Sequence, residues 1–252
     1  MSYFPSGFIL SLTGCLGFLS VATMAEQKAK QFLEQSPAED AAAYARNYKA
    51  HHEGITPRES IIAYDQWATY DQDLNNDRYR GPVLAAEAVA PFFPVERESK
   101  LIMDVACGTG RVAEELRKLG FHKMHGLDPS SGMLQKARLK NLYEKDFCYY
   151  VDSKRLPIDD DVYDCVVVAG GFGEGHIPTA GLKEIARIVR PGGLVCIVMR
   201  QEYLDHVAEY KGRLEPTMKE MESAELWKMV SKTVVPRYSF DNDGVVFKFV
   251  VC

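Results

Sequence analysis

Asp104, Gly108, Gly110 and Asp128 are spaced as a nucleotide-binding turn would space them. The two glycines follow the apolar run Leu101 to Val105 and precede Val112, Leu116 and Leu119, a stripe at helical spacing. Glycine between a strand and a helix lets the backbone approach a ligand and turns the unpaired N–H groups of the helix N-terminus toward it. The stretch satisfies G-x-G-x-x-A with Ala113 in the last place, and Asp128 ends the next apolar run eighteen residues after Gly110. A carboxylate there accepts both ribose hydroxyls of a dinucleotide such as NAD. Asp104 argues for a different ligand. Lying four positions before Gly108, inside the strand end, its carboxylate is placed to hold a free α-amino group, directly or through water. A dinucleotide has no such group.

These residues need a parallel sheet to position them. Apolar runs recur at Lys100 to Val105, Lys123 to Leu127, Phe147 to Val151, Asp164 to Ala169 and Leu194 to Met199, and each of the first four leads into a turn and a helix-compatible stretch. That alternation predicts βαβ units. The continuous hydrophobicity of VVVA and VCIVM suits strands buried on both faces. Ala208 to Trp227 reads as a helix, and two β-rich runs around a DNDG turn predict a closing antiparallel hairpin. Upstream, residues 26 to 53 read as helical, ending near Gly54 and Pro57, and IIAYDQWATYDQDL reads as a short aromatic helix.

Composition narrows the function classes. The chain has 252 residues, 46% hydrophobic and 26% charged, which suits one domain with a substantial core. A net charge of −5 with interspersed signs offers no basic stripe, so no nucleic-acid partner is expected. Six scattered cysteines make no zinc-ligand spacing, so no metal is expected, and they read as reduced, mostly buried thiols. Residues 1 to 25 carry no charge. Two readings stay open for residues 1–23: a hydrophobic anchor contacting a membrane, or an upstream extension with Met24 as the working start. The expected location is cytoplasmic, with membrane anchoring through this leader as the alternative.

The string D-V-A-C-G-T-G resembles the first motif of class I S-adenosylmethionine-dependent methyltransferases, whose loop wraps the amino-acid end of the cofactor. Further resemblances follow in the family's order: LDPSSGML, VDS, YDCVVVAGGF and IARIVRPGGLVCIVM, with the terminal hairpin similar to the fold's reversed seventh strand. The resemblance implies an α/β, Rossmann-like doubly wound sheet of seven strands with an antiparallel last strand, over 99–252. It implies S-adenosylmethionine as cofactor and S-adenosylhomocysteine as product. It also implies a cofactor site of Asp104, Ala106, Cys107, Gly108 and Gly110 in the first loop, with Asp128 on the ribose and Pro129 and Met133 beside the adenine. Asp152 and Ser153 are implied near the adenine amino group, and Ala169 at the end of the fourth strand. Read without the family, Asp128 is equally a helix cap and Asp152 a turn acid.

Residues 64 to 89, YDQWATYDQDLNNDRYRGPVLAAEAV, together with the motifs above, resemble the Williams-Beuren-region methyltransferase family, the methyltransferase-like 27 group. Tyr64 and Tyr70 match its paired tyrosines, which implies that a helical cap over 24–98 covers the cofactor cleft. The alternative is that Tyr64, Trp67 and Tyr70 pack into a core.

Methyl transfer from a sulfonium needs alignment and water exclusion, and a base only where the acceptor carries a proton. AGGFGEGHIP stands where amino-methylating enzymes show a D/N-P-P-Y clamp, and no cysteine has the Pro-Cys setting of a cytosine-methylating nucleophile. A small-molecule acceptor is the expectation that remains. Glu174 and His176 are candidates to orient or deprotonate it. Two rival classes are an NAD-dependent oxidoreductase and a non-catalytic cofactor-binding sensor or scaffold. The sequence does not speak to oligomeric state.

Overall fold

The structure is a computed structural model that describes residues 31–32 and 34–252. The hydrophobic leader 1–23, the start at Met24, Cys15 and the first part of the predicted 26–53 helix lie outside the described residues. Seven strands form one sheet: β1 (Leu101–Val105), β2 (Lys123–Leu127), β3 (Lys145–Phe147), β4 (Tyr163–Ala169), β5 (Val189–Arg200), β6 (Trp227–Ser239) and β7 (Asn242–Val251). Their order is β3-β2-β1-β4-β5-β7-β6. The first five strands are parallel, and β7 lies antiparallel between β5 and β6. This is the Rossmann-like α/β sheet with a reversed last strand that the sequence led us to expect. Its order turns around between β1 and β4, so the loops after those two strands diverge and open a crevice at their carboxyl ends.

Alternation along the strands divides the core in two. Met103, Val105, Val166, Val168, Val195 and Ile197 face the side covered by Leu182 and Ile185 of α7 (Leu182–Arg187) and by α9 (Leu214–Ser223). Ile102, Cys165, Val167, Cys196 and Val198 face the other side, covered by α4 (Gly81–Val89) and α5 (Arg111–Lys118). Such two-sided burial is why these strands read as unbroken apolar runs.

The N-terminal helices α1 (Ala38–Lys49), α2 (Pro57–Gln66) and α3 (Tyr70–Asp73) sit over the crevice, above α5 and α6 (Ser131–Leu139). α2 starts at a capping box: Thr56 accepts from the Glu59 N–H at 3.3 Å, and the Glu59 carboxylate accepts from the Thr56 N–H at 2.9 Å. The aromatic segment is two helices, not one. Asp73 draws the break together, accepting from Trp67 Nε1 at 2.7 Å, Thr69 Oγ1 at 2.6 Å and both ends of the Arg46 fork. Against the opposing effect of burial, these donors hold its carboxyl at about 2.

Other boundaries also differ from expectation. The third strand ends at Phe147, and among the described residues no regular helix joins β3 to β4. Residues 152–161, DSKRLPIDDD, explain this, because Pro157 lacks an N–H and short polar side chains favour turns. α9 is shorter than Ala208 to Trp227, since Trp227 already pairs with Val251 at the start of β6. The hairpin turns at Phe240 and Asp241, not across DNDG, with Phe240 at φ 51° and its ring 5.1 Å from Tyr44. Tertiary packing sets that turn. Cys107, Cys165 and Cys196 are buried thiols, but Cys148 and Cys252 are exposed.

Candidate functional site

The glycine turn after β1 runs through left-handed backbone at Ala106 (φ 56°), Gly108 (φ 55°) and Gly110 (φ 90°). A Cβ at Gly108 would meet nothing nearer than the Tyr70 hydroxyl at 4.0 Å, so this backbone faces open space. Asp128, at the end of β2, closes the turn: Oδ2 accepts from the Gly108 N–H and Oδ1 from the Ser130 N–H, each at 2.8 Å. Burial pushes its carboxyl up to about 6, and the two N–H donors limit the rise. Asp128 is not the helix cap, since Ser130 takes that place and accepts from the Met133 N–H at 3.0 Å.

Asp104 lies beneath the turn, fully buried. Tyr143 donates its hydroxyl to Oδ2 at 2.6 Å, while Oδ1 makes no hydrogen bond among the described residues. Burial raises this carboxyl to about 7. The Tyr143 bond opposes the rise, the charge of Asp128 adds to it, and the nearby Ala113 backbone N–H opposes it. A buried oxygen without a donor is costly unless a ligand or water supplies one.

The cap is fastened onto this turn by polar contacts. Asp65 accepts from Ser130 Oγ at 2.7 Å and the Gly132 N–H at 2.8 Å, Thr109 donates to Asp71, and Lys140 pairs with Asp71 at 2.9 Å. These contacts hold Tyr64 and Tyr70 over a concave cleft lined largely by aromatic and apolar side chains with a few polar groups, the form of a small-molecule site.

Of the residues singled out in the sequence, Tyr64, Tyr70, Ala106, Asp128, Pro129, Ala169 and His176 line the cleft. Asp104, Cys107, Gly108 and Gly110 form the turn behind its wall, and Met133 is buried in the first turn of α6. Asp152 accepts from the Lys154 N–H at 2.7 Å in a local turn, and Ser153 is exposed. The neighbouring Tyr150 and Val151 face the cleft instead. Glu174 points away, accepting from the Gly54 N–H at 3.3 Å. His176 Nδ1 lies 2.7 Å from the Glu174 carbonyl, which can only accept, so Nε2 is the acceptor for the Tyr64 hydroxyl at 3.0 Å. This tautomer follows from the hydrogen-bond network, and burial lowers the ring's pKa. Among the described residues no cluster of three or more His, Cys, Asp or Glu could hold a metal ion, and no helix is long and apolar enough to cross a membrane.

A family of methyltransferase domains matches residues 102–193, the stretch that builds β1, the turn, Asp128 and β4. Human methyltransferase-like protein 27 is 39% identical over 166 residues, 66% of this chain and 66% of its own. The chain belongs to the class I S-adenosylmethionine-dependent methyltransferases. A demethylmenaquinone methyltransferase of Clavibacter sepedonicus is 34% identical over 137 residues, 54% of this chain and 52% of its own. The matches thus span a little under two thirds of the first relative and about half of the second. The methyltransferase fold is shared with a TehB-like S-adenosylmethionine-dependent methyltransferase from Corynebacterium glutamicum (TM-score 0.53, 17% identity, 76% of this chain and 98% of that one). It is also shared with the cyclase SpnF (TM-score 0.57, 15% identity, 78% and 97%).

Sequence reasoning missed several residues of the cleft: His51, Tyr79, Arg200, Tyr203 and Tyr238 line it, and Tyr143 supports Asp104. Arg200 had a readable sign, a charge ending the doubly buried run LVCIVM at the carboxyl end of a central strand. The others have none, because pairing across the sheet and docking of the cap bring them in.

Proposed function

We propose that this protein binds S-adenosylmethionine in the crevice at the carboxyl ends of β1 and β4 and transfers its methyl group to a small-molecule acceptor. One observation carries the reading. A glycine turn with its backbone facing open space stands between a buried carboxylate with an unpartnered oxygen, Asp104, and a second carboxylate at the cleft wall, Asp128. The first suits the cofactor's α-ammonium group and the second its ribose hydroxyls, with Ala106, Cys107, Gly108 and Gly110 supplying backbone between them. A dinucleotide would leave Asp104 unanswered. In this reading Tyr64 and Tyr70 cover the cofactor, while Pro129 and Ala169, with Tyr150 and Val151 in place of Asp152 and Ser153, border its adenosyl end.

The cofactor, when bound, would supply a methyl group already activated by its sulfonium. The chain's own residues align the acceptor, exclude water and receive a proton where the acceptor has one. Tyr64 and His176 suit the last of these roles, because Tyr64 Oη keeps lone pairs toward the cleft while its proton rests against His176 Nε2. A relay through Tyr64 brings His176 into play and leaves no role for the Glu174 carboxylate. Undiminished methyl transfer to an identified acceptor by His176→Ala would remove the relay. Relatives named for demethylmenaquinone support a small acceptor.

Calorimetric titration of the chain with S-adenosylmethionine, S-adenosylhomocysteine and NAD tests the cofactor. Binding of both adenosyl ligands, weakened in Asp128→Ala, is the expected result. Binding of NAD alone would overturn it.

A further inference from the structure

The cleft continues past the glycine turn into a chamber that the cofactor reading leaves unused. Arg200, the last residue of β5, lines it and is 5% exposed. A buried guanidinium needs a counter-ion and donors aimed at acceptors. Among the described residues this one is poorly served: Nη1 lies 3.5 Å from Glu202 Oε1, Nη2 lies 3.3 Å from Ser239 Oγ, and the guanidinium carbon lies 5.6 Å from the centre of the Tyr203 ring. No carboxylate of the described residues engages the fork in the two-pronged manner that guanidinium geometry favours.

His51 faces the same chamber from just beyond the end of α1. Its Nε2 is buried without a hydrogen bond among the described residues, and its Nδ1 lies 3.4 Å from the Tyr203 hydroxyl. Burial, reinforced by the charge of Arg200, lowers its pKa well below the usual value, so the ring is neutral. Where the Tyr203 hydroxyl donates to Nδ1, the ring's proton sits on Nε2. The cationic Arg200 fork and, in that tautomer, the His51 Nε2–H therefore look into one chamber with no adequate acceptor among the described residues. Its other walls are rings: Tyr64, Tyr79, Phe172 and Tyr238. Behind Arg200, His51 and Tyr203 a second cavity begins, and it is lined by Glu53, Glu174 and Glu202. Those carboxylates repel an anion, so an anion is favoured only on the cleft side.

We propose that the methyl acceptor is an aromatic carboxylate, its ring among the chamber's tyrosines and its carboxylate held by the Arg200 fork and His51 Nε2. The assignment rests on the methyl-transfer reading for the word acceptor, but the anion site stands on its own residues. Benzoate is the simplest probe and benzamide its neutral counterpart, each titrated by calorimetry into the chain saturated with S-adenosylhomocysteine. Benzoate should bind and benzamide should bind at least tenfold more weakly. Arg200→Gln should weaken benzoate about tenfold or more, the loss of one charge-assisted contact, with Arg200→Lys recovering part of it and His51→Gln losing less. Binding of S-adenosylhomocysteine by each variant certifies that it is folded. Benzoate binding equal to that of benzamide, equal in Arg200→Gln, or absent at tens of millimolar overturns the proposal and leaves the cofactor reading intact. Failure of S-adenosylhomocysteine to bind overturns the cofactor reading, while a benzoate response lost in Arg200→Gln still supports the anion site.

Discussion

Replacing Asp128 by asparagine separates a residue that the fold needs from one that the ligand needs. The carboxyl has moved from an ordinary 3.8 to about 6 through burial, which costs the folded chain roughly 3 kcal/mol at neutral pH, where the group must ionise. Asparagine relieves that cost. It also turns an NH₂ group toward one of the two backbone donors, Gly108 or Ser130, and leaving that pair unsatisfied costs about 1–3 kcal/mol. The two effects nearly cancel, so the thermal midpoint should move by only a few degrees. Binding has no such compensation, because a charged acceptor for ribose hydroxyls is gone: about 1.5–3 kcal/mol, or roughly 10- to 150-fold in affinity for S-adenosylhomocysteine. Calorimetry and thermal unfolding on the same preparation measure both. A midpoint lowered by ten degrees or more with unchanged affinity would refute the reasoning and make Asp128 a structural acid of the turn.

Asp104, raised to about 7 by burial, keeps its proton in the folded chain where the unfolded chain has lost it, so ligand-free stability should fall as pH rises from about 4 to about 7.5. Urea titrations across that range should show the decline and its flattening in Asp104→Asn. If an α-ammonium group answers this carboxylate, affinity for S-adenosylmethionine should rise between pH 6 and 8, and calorimetry in buffers of different ionisation heat should detect a proton released on binding near pH 6. Tyr143→Phe removes the one side-chain donor to Asp104 and should cost about 1–3 kcal/mol in urea unfolding at pH 7.5, with a smaller loss at pH 5. Gly110→Ala forces a side chain to φ 90° with its Cβ 3.1 Å from Leu142 and should cost about 1–2 kcal/mol or more, read as a lowered thermal midpoint.

The glycine turn and its two carboxylates were legible because they are local. Asp104, Gly108, Gly110 and Asp128 lie within one strand, turn, helix and strand, so their spacing in the chain dictates their spacing in the molecule. Sheet class followed for the same reason, from runs that stay apolar when both faces are covered. What failed was set from a distance. Pairing with Val251 takes Trp227 out of its predicted helix, and Tyr44 packing on Phe240 moves the hairpin turn. The strand expected to reach Val151 stops at Phe147, which turns Tyr150 and Val151 into the cleft where Asp152 was expected. Arg200 and His51 are far apart in the chain and meet only because β5 ends beneath the cap.

That division bears on how specificity arises in this fold. A chain whose solved relative by shape is a cyclase shares the sheet, so the sheet alone does not choose a reaction. Here the donor turn and Asp128 come from the first strands, whereas the chamber beyond them is walled by α1, α2 and the ends of β5 and β6. The cap helices meet the glycine turn through polar pins, Asp65 to Ser130 and Gly132 and Asp71 to Thr109 and Lys140, and they also share an apolar cluster in which Tyr44, Trp67 and Leu74 are buried with Met133 and Val112. Apolar packing as well as these pins thus fixes Tyr64 and Tyr70 over the turn. A ligand in the cleft then works on the cap directly. By contacting Tyr64 and Tyr70 it adds to that packing, beside the Tyr64–His176 hydrogen bond at 3.0 Å.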